Sequence, residues 1–153
     1  GYFGKSVLRE VDENIFYSSI PQLREKYSDR AILRAIHFFD ENKRVEMQRA
    51  ALKNTNIDEF LKYVLESGNS SYKYLQNVYV NTTPTKQSLS LALALCESMG
   101  ITARVHGGGF AGTIQAFCEK SKTNELKNRM DNIYGNGSCM ILNVRPCGAI
   151  KII

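Results

Sequence analysis

Three consecutive glycines at 107–109 separate two segments that have the composition of short strands, residues 101–106 and 111–118. Glycine loses more backbone freedom on folding than any other residue, so a triplet inside an ordered segment carries an entropic cost. Between two strands, such a triplet predicts backbone with positive φ, or backbone that approaches another group closely. The sequence therefore predicts a β-hairpin closed by a glycine turn.

A phosphorylated ligand is one candidate for that close approach, because the N–H groups of a tight glycine turn form a concave nest that binds anions. A glycine turn with no ligand accounts for the triplet equally well. The neighbouring residues exclude two other phosphate loops. The triplet is followed by strand-like residues rather than the helix of a dinucleotide fingerprint, and it lacks the Gly-Lys-Ser/Thr of a Walker A loop.

The composition is that of an ordinary globular protein. With 153 residues, 43% hydrophobic and 23% charged, the chain is long enough to bury a core without disulfides. We expect one domain over residues 1–153. The net charge of +5 comes from 20 basic and 15 acidic side chains that are interspersed. This pattern favours a solvated surface over a nucleic-acid interface.

The cysteines predict no metal site and no disulfide framework. There is no C-x-x-C spacing, and the chain has only two histidines, so no zinc ligand set is recognisable. Each cysteine lies among apolar residues, which predicts four buried, reduced thiols in the cytoplasm. They are Cys96, Cys118, Cys139 and Cys147. The longest apolar run is too short to cross a bilayer, so we expect no membrane segment.

A long helix is predicted over residues 29–54, with Asp29 as its N-cap. Two apolar stripes run along it, which predicts a helix that packs on two faces. The stripes are Ile32, Ile36 and Phe39, and Phe38, Val45 and Leu52. Residues 1–28 look irregular, although Pro21 permits a helix to start nearby.

Three further helices are predicted from capping signals and periodicity. The first follows a capping box at Asn56 and Glu59 and could continue past residues 68–71 towards Tyr79. The second runs from a cap at Thr85 to Gly100, and the third is capped near Thr123 and ends at Gly135. Strands at residues 139–144 and 149–153 would complete an α+β protein.

Four segments together resemble galactokinases of the GHMP sugar-kinase superfamily. Residues 99–112 (MGITARVHGGGFAG) resemble the third signature, which is typically G-[SA]-R-M-T-G-[AG]-G-F-G-G in galactokinases. Residues 7–11 (VLREV) resemble Leu-Arg-Asp-Val. Residues 34–45 (RAIHFFDENKRV) resemble Arg-Ala-Arg-His…Glu-Asn-x-Arg-Val, and residues 65–70 (LESGNS) resemble Met-x-Glu-Ser-His. The matches occur in the family's order and cover essentially the whole chain.

The resemblance implies an α+β fold, the ferredoxin-like C-terminal domain of a GHMP kinase, with a small, mostly antiparallel sheet packed against long helices. It implies transfer of the ATP γ-phosphoryl group, with Mg²⁺, to the anomeric hydroxyl of galactose or a related sugar. In that family the Gly-Leu-Ser-Ser-Ser-Ala loop for ATP, the catalytic Asp and most sugar contacts lie upstream of the matched part, and this chain contains no such loop. The resemblance thus implies a C-terminal domain whose N-terminal partner domain is absent from these residues, and which is inactive alone.

The resemblance assigns one role, laying backbone N–H groups beside the phosphates, to Gly107, Gly108 and Gly109. It implies that Phe110 packs beneath the turn, and a β-branched replacement of Gly108 is expected to disrupt it. His106 stands where the family has Thr or Ser, and Ala111 replaces a glycine. His106 either contacts substrate in the cleft or, as we favour, is an exposed strand-end residue.

Other polar and aromatic residues are expected to be structural. Arg34, His37 and Arg44 predict a partly exposed helix face that pairs with Glu41, rather than catalytic groups. Tyr72, Tyr74 and Tyr79 could stack on a base or a sugar, but their spacing favours packing. Two other functions stay open: a catalytically silent, galactokinase-like sugar sensor, and an unrelated α+β interaction or RNA-binding module.

Overall fold

The computed structural model describes residues 1–110, 112–144 and 147–148. The chain divides into two compact units, residues 1–117 and residues 118–153. The described residues form six α-helices and one two-stranded antiparallel sheet. The α+β class expected from the sequence is therefore confirmed, whereas the single domain stays a prediction.

The first unit begins with short helices. The expectation of irregular structure over residues 1–28 is therefore wrong, although a helix does start near Pro21, as the sequence permitted. A 3₁₀ turn at Leu8–Glu10 precedes the helices α1 (Glu13–Ser18) and α2 (Ile20–Lys26). Asp12 caps α1, since its Oδ1 accepts a hydrogen bond of 3.0 Å from the N–H of Ile15. Helices of six and seven residues are too short to show the 3.6-residue periodicity that identifies longer ones.

The long helix α3 spans Asp29–Lys53, close to the predicted bounds, but its cap is Ser28 rather than Asp29. The Ser28 hydroxyl accepts a hydrogen bond of 3.3 Å from the N–H of Ala31. One predicted stripe is buried in a core cluster with α1 and α2, made of Phe16, Leu23, Ile32 and Phe39. The second stripe is largely exposed, with Val45 and Leu52 each 51% accessible. The helix nevertheless packs on two faces, as predicted, because it also contacts the following helix, Ile57–Ser70, through Glu41 and Ser67.

Helix α4 spans Ile57–Ser70 and confirms the predicted capping box. The Oδ1 of Asn56 accepts from the N–H of Glu59 at 3.1 Å, and its Nδ2 donates to the Glu59 carboxylate at 3.2 Å. The helix does not continue regularly. It passes into a π-helical turn, Ser71–Leu75, which ends at Gln76 in the left-handed region with φ of 53°.

Helix α5 spans Ser88–Ser98, and the predicted cap at Thr85 is wrong. Gln87 precedes the helix, and its side chain forms hydrogen bonds with the preceding loop instead of capping the helix. Its Oε1 accepts from the N–H of Val80 at 2.9 Å, and its Nε2 donates to the Val80 carbonyl at 2.8 Å. Gly100, with φ of 66°, follows the helix as predicted.

The predicted hairpin is present, with strands shorter than expected. Strand β1 (Thr102–Val105) pairs antiparallel with β2 (Ile114–Phe117), and Val105 lies opposite Ile114. A second core cluster unites Val78, Leu89 and Val105. Helix α4 crosses β1 closely at Gly68, where a Cβ atom would lie 2.9 Å from the Cβ of Arg104. The sheet is thereby fixed against α4, and the loop between its strands is held at a defined place.

The second unit contains a 3₁₀ turn, Lys120–Lys122, and helix α6, Thr123–Tyr134, with Gly135 following it as predicted. The strand predicted at 139–144 is wrong: the backbone is irregular there and finds no partner strand among the described residues. The strand predicted at 149–153 lies outside the described residues. Asp131, on α6, accepts hydrogen bonds from Lys127 and from the N–H of Cys139, which lies beyond the helix. These bonds, chiefly the one from Lys127, lower the pKa of the Asp131 carboxyl to about 2.

The cysteines are less buried than expected. Cys96 is buried, but Cys118 and Cys139 are half-buried and Cys147 is exposed, so the prediction of four buried thiols is wrong. Burial raises the pKa of the Cys139 thiol. No helix in the described residues has the length and apolarity needed to span a bilayer.

Candidate functional site

The glycine turn joins β1 to β2 through backbone that only glycine adopts easily. The N–H of His106 donates to the carbonyl of Thr113 at 3.0 Å and extends the pairing beyond Val105. Past this bond, Gly107 has φ of 66°, Gly109 has φ of 72° and Phe110 has φ of 51°. Three of four successive residues are thus left-handed, which explains two of the three glycines.

Gly109 is also required by its neighbour, Asn77. A Cβ atom on Gly109 would overlap the carbonyl oxygen of Asn77 and lie 2.8 Å from its Cβ and Cγ atoms. A Cβ atom on Gly108 would instead meet nothing within 4 Å. The sequence-based expectation located the steric demand at Gly108. That was wrong, because Gly108 faces open space and Gly109 is the residue in contact.

The turn presents backbone donors that nothing in the described chain satisfies. Among the described residues, no acceptor receives a hydrogen bond from the N–H groups of Gly107, Gly108 or Gly109. Gly107 and Gly108 are exposed, and Gly109 is half-buried. The next N–H, that of Phe110, donates to the carbonyl of Asn77 at 2.9 Å. Exposed, unpaired N–H groups on left-handed glycines are the arrangement that binds anions.

An open groove of about 940 Å³ lies beside the turn. Its lining combines aromatic, amide and cationic side chains: Arg30, Asn69, Tyr72, Lys73, Gln76, Tyr79, Asn81 and Phe110. The expectation that Phe110 packs beneath the turn is wrong, since its side chain is 49% exposed. Tyr72 and Tyr79 are 48% and 50% exposed and line the same groove, so they are not packing residues either.

His106, the other residue singled out from the sequence, is exposed at the end of β1. It is not among the groove-lining residues. A contact between its imidazole and a substrate stays a prediction.

A cluster of charged side chains connects α3, α4 and β1. Glu41 accepts from Arg44 and from the fully buried hydroxyl of Ser67, and Arg104 lies 3.6 Å from the same carboxylate. Arg44 also lies 3.7 Å from Asp40. The predicted pairing of Arg44 with Glu41 is confirmed, although Arg44 is buried rather than partly exposed, at 9% accessibility. These contacts are those of a structural ion cluster.

His37 lies at one end of this cluster. Its Nδ1 is 3.0 Å from the hydroxyl of Ser70, on α4. Burial lowers the pKa of His37 below the ordinary value of 6.5. The guanidinium groups of Arg44 and Arg104 also lower this pKa, while the carboxylates of Glu41 and Asp40 raise it. Burial therefore favours the neutral form of His37, which contacts Ser70.

Asn77 and Ser71 are site residues that sequence reasoning missed. Asn77 is 3% exposed and contacts the turn from a position 31 residues before Gly108, and Ser71, 2% exposed, donates to its side chain. Asn and Ser are seldom buried, so their burial would have marked these two residues as unusual. The sequence alone does not show which residues are buried. Within the described residues, no group of three or more His, Cys, Asp or Glu side chains is placed to hold a metal ion.

No family model matches the chain. Individual proteins do. The chain is 35% identical over 106 residues to a galactokinase of Clostridium tetani, covering 69% of this chain and 26% of that protein. It is 26% identical over 139 residues to a galactokinase of Staphylococcus saprophyticus, covering 85% and 35%. It is 33% identical over 101 residues to a galacturonokinase of Arabidopsis thaliana, covering 66% and 23%. The chain thus spans about a quarter to a third of the length of these relatives.

Proposed function

Because the chain belongs to the galactokinase family, we propose that it forms the C-terminal part of an ATP-dependent kinase that phosphorylates galactose, or a related sugar, at the anomeric hydroxyl. The ferredoxin-like arrangement of GHMP kinase C-terminal domains is part of this proposal. The observation that supports it most directly is the glycine turn, where the N–H groups of Gly107, Gly108 and the half-buried Gly109 have no acceptor among the described residues.

The chemistry of phosphoryl transfer suits such a turn. The transferred group carries charge on its equatorial oxygens, and catalysis consists mainly of positioning and electrostatic stabilisation. Backbone N–H groups that the fold already holds in place can meet developing negative charge without reorganising. In this proposal the turn lines the phosphate and substrate cleft, and the half-exposed Phe110 lies at its edge.

The remaining machinery is assigned to residues outside this chain. The described residues offer no ligand set that fits Mg²⁺. We therefore assign binding of the metal, and most binding of ATP and sugar, to an N-terminal domain that is this chain's principal partner. The 153 residues alone are expected to be inactive. The cytoplasm, where ATP and the sugar are available, is the proposed location, with no role for nucleic acid or a membrane.

The test compares the 153-residue chain with the complete kinase, meaning the longer protein that contains these residues under this proposal. With ATP, Mg²⁺ and galactose, the complete kinase should turn over and the 153-residue chain should not. Robust sugar phosphorylation by the 153-residue chain would contradict the proposed division of labour.

A second test probes the turn itself in the complete kinase. Gly108→Val adds a branched side chain where a Cβ atom meets nothing within 4 Å, so the fold should be kept. In this proposal the added bulk hinders approach of the phosphates to the turn, and turnover should fall. Thr113→Val is the matched control, because it changes an exposed side chain at the other end of the loop and keeps the backbone bond from His106. Equal turnover in both variants would reject the role of the turn.

The same assays separate the alternatives. Binding of galactose and ATP by the complete protein without turnover would favour the catalytically silent sensor. Retention on a nucleic-acid column that falls steeply with salt would favour the RNA-binding module.

A further inference from the structure

Asn77 contacts three successive residues of the glycine turn. Its carbonyl oxygen accepts the N–H of Phe110 at 2.9 Å, and its Nδ2 lies 3.4 Å from the carbonyl oxygen of Gly108. The space that a side chain on Gly109 would need is filled by Asn77 itself. With 3% exposure, Asn77 has little access to water that could replace these partners.

We propose that Asn77, oriented by Ser71, is a positioning residue that sets the conformation of the glycine turn and so aims its N–H groups at the phosphates of the nucleotide. This rests on the proposed function. Asn77 bonds the Gly108 carbonyl and the Phe110 N–H, whereas the N–H groups of Gly107, Gly108 and Gly109 have no acceptor among the described residues.

The position demands an amide because both ends of the side chain are used. Nδ2 donates to the turn, and Oδ1 accepts from the hydroxyl of Ser71 at 3.2 Å. An aspartate has nearly the same shape but cannot donate, so it would set a carboxylate oxygen against the carbonyl of Gly108. A buried acceptor facing another acceptor is unsatisfied and repels it.

The backbone before Asn77 is strained in a way that serves this placement. The π-helical turn Ser71–Leu75 is followed by Gln76 at φ of 53°, and then by Asn77 and the fully buried Val78. Left-handed backbone at a non-glycine residue is energetically unfavourable, and π-helical turns inside helices are frequent at functional sites. Here the irregular backbone brings Ser71 and Asn77 within hydrogen-bonding distance of each other.

The first experiment measures amide hydrogen exchange and chemical shifts in the 153-residue chain. Asn77→Asp should remove the protection of the Phe110 amide and shift the amide signals of the turn glycines. Asn128→Asp is the matched control, because it makes the same change at an exposed position on α6 and should leave these signals unchanged. If Asn77→Asp does not fold, Ser71→Ala tests the same arrangement, and a weaker loss of Phe110 protection is expected. Unchanged signals in a folded variant would overturn the proposal.

The second experiment measures kinetics in the complete kinase below its unfolding temperature. Asn77→Asp should lower kcat by about tenfold or more with a smaller change in the KM for sugar, since misplaced donors affect charge development at the phosphates. A purely structural Asn77 would lower thermal stability and leave kcat of the folded enzyme unchanged, and that result would overturn the proposal. If Gly108→Val leaves turnover intact while Asn77→Asp still disturbs the turn, the proposed function fails instead.

Discussion

At the residue scale, the glycine triplet contains positions with different demands. Gly109→Ala forces a side chain into left-handed backbone and into Asn77. We expect it to destabilise the fold by about 2 kcal/mol or more, the sum of a strained φ and an overpacked contact. The free energy of unfolding from urea titration checks this value.

Gly108→Ala is the control within the same triplet. Its φ is ordinary and its Cβ would meet open space, so we expect a change within about 0.5 kcal/mol. A similar loss of stability in both variants would show that the turn does not rest on Asn77 as described.

At the element scale, the charged cluster holds two helices to the sheet. Ser67 on α4 is fully buried and bridges Glu41 on α3 to Arg104 on β1. Ser67→Ala removes the bridging hydroxyl and leaves charged groups underpaired, so we expect a loss of about 1–3 kcal/mol in the free energy of unfolding. Chemical denaturation monitored by circular dichroism measures it.

A matched serine on another helix provides the control. The hydroxyl of Ser98 donates to the carbonyl of Leu95 at an exposed helix end. Ser98→Ala should therefore change stability by only about 0.5 kcal/mol or less. If the two variants were equally destabilised, the cluster would not be what fixes α3 and α4 to β1.

The elements themselves show what local sequence can predict. Helices α3, α4 and α6 and the hairpin could be located because caps, periodicity and glycines are local signals. Helix α1 was missed because it is too short for periodicity, and of α2 only the start near Pro21 could be anticipated. The strand at 139–144 was wrongly predicted from apolar composition, although a strand also needs a partner, and Met140, Leu142 and Val144 are in fact 77%, 80% and 97% exposed.

The candidate site could be predicted only in part, for the same reason. The glycine turn can be recognised from the sequence, because left-handed backbone favours glycine. Its contact with Asn77 spans more than thirty residues, and the exposure of Phe110 and the two tyrosines depends on which surfaces the helices cover. Tertiary contacts of this kind produce no signal in the local sequence of the residues involved.

At the scale of the whole molecule, stability should depend on pH through His37. Its pKa in the folded chain lies below the ordinary 6.5, chiefly because of burial, so the unfolded chain binds a proton more readily. Stability is therefore full above about pH 6.5 and falls as pH drops through and below that value towards the folded pKa. Urea unfolding between pH 5 and 7.5 should show the free energy of unfolding rising with pH in this window.

The chain has only two histidines, which allows a clean comparison. His37→Gln keeps a polar group near the hydroxyl of Ser70 but cannot titrate, so the rise in stability between pH 5 and 7 should become shallower. His106→Gln makes the same substitution at an exposed position after β1 and controls for the exchange of histidine for glutamine itself. A slope that persists unchanged in His37→Gln would refute the assignment of the linked proton to His37.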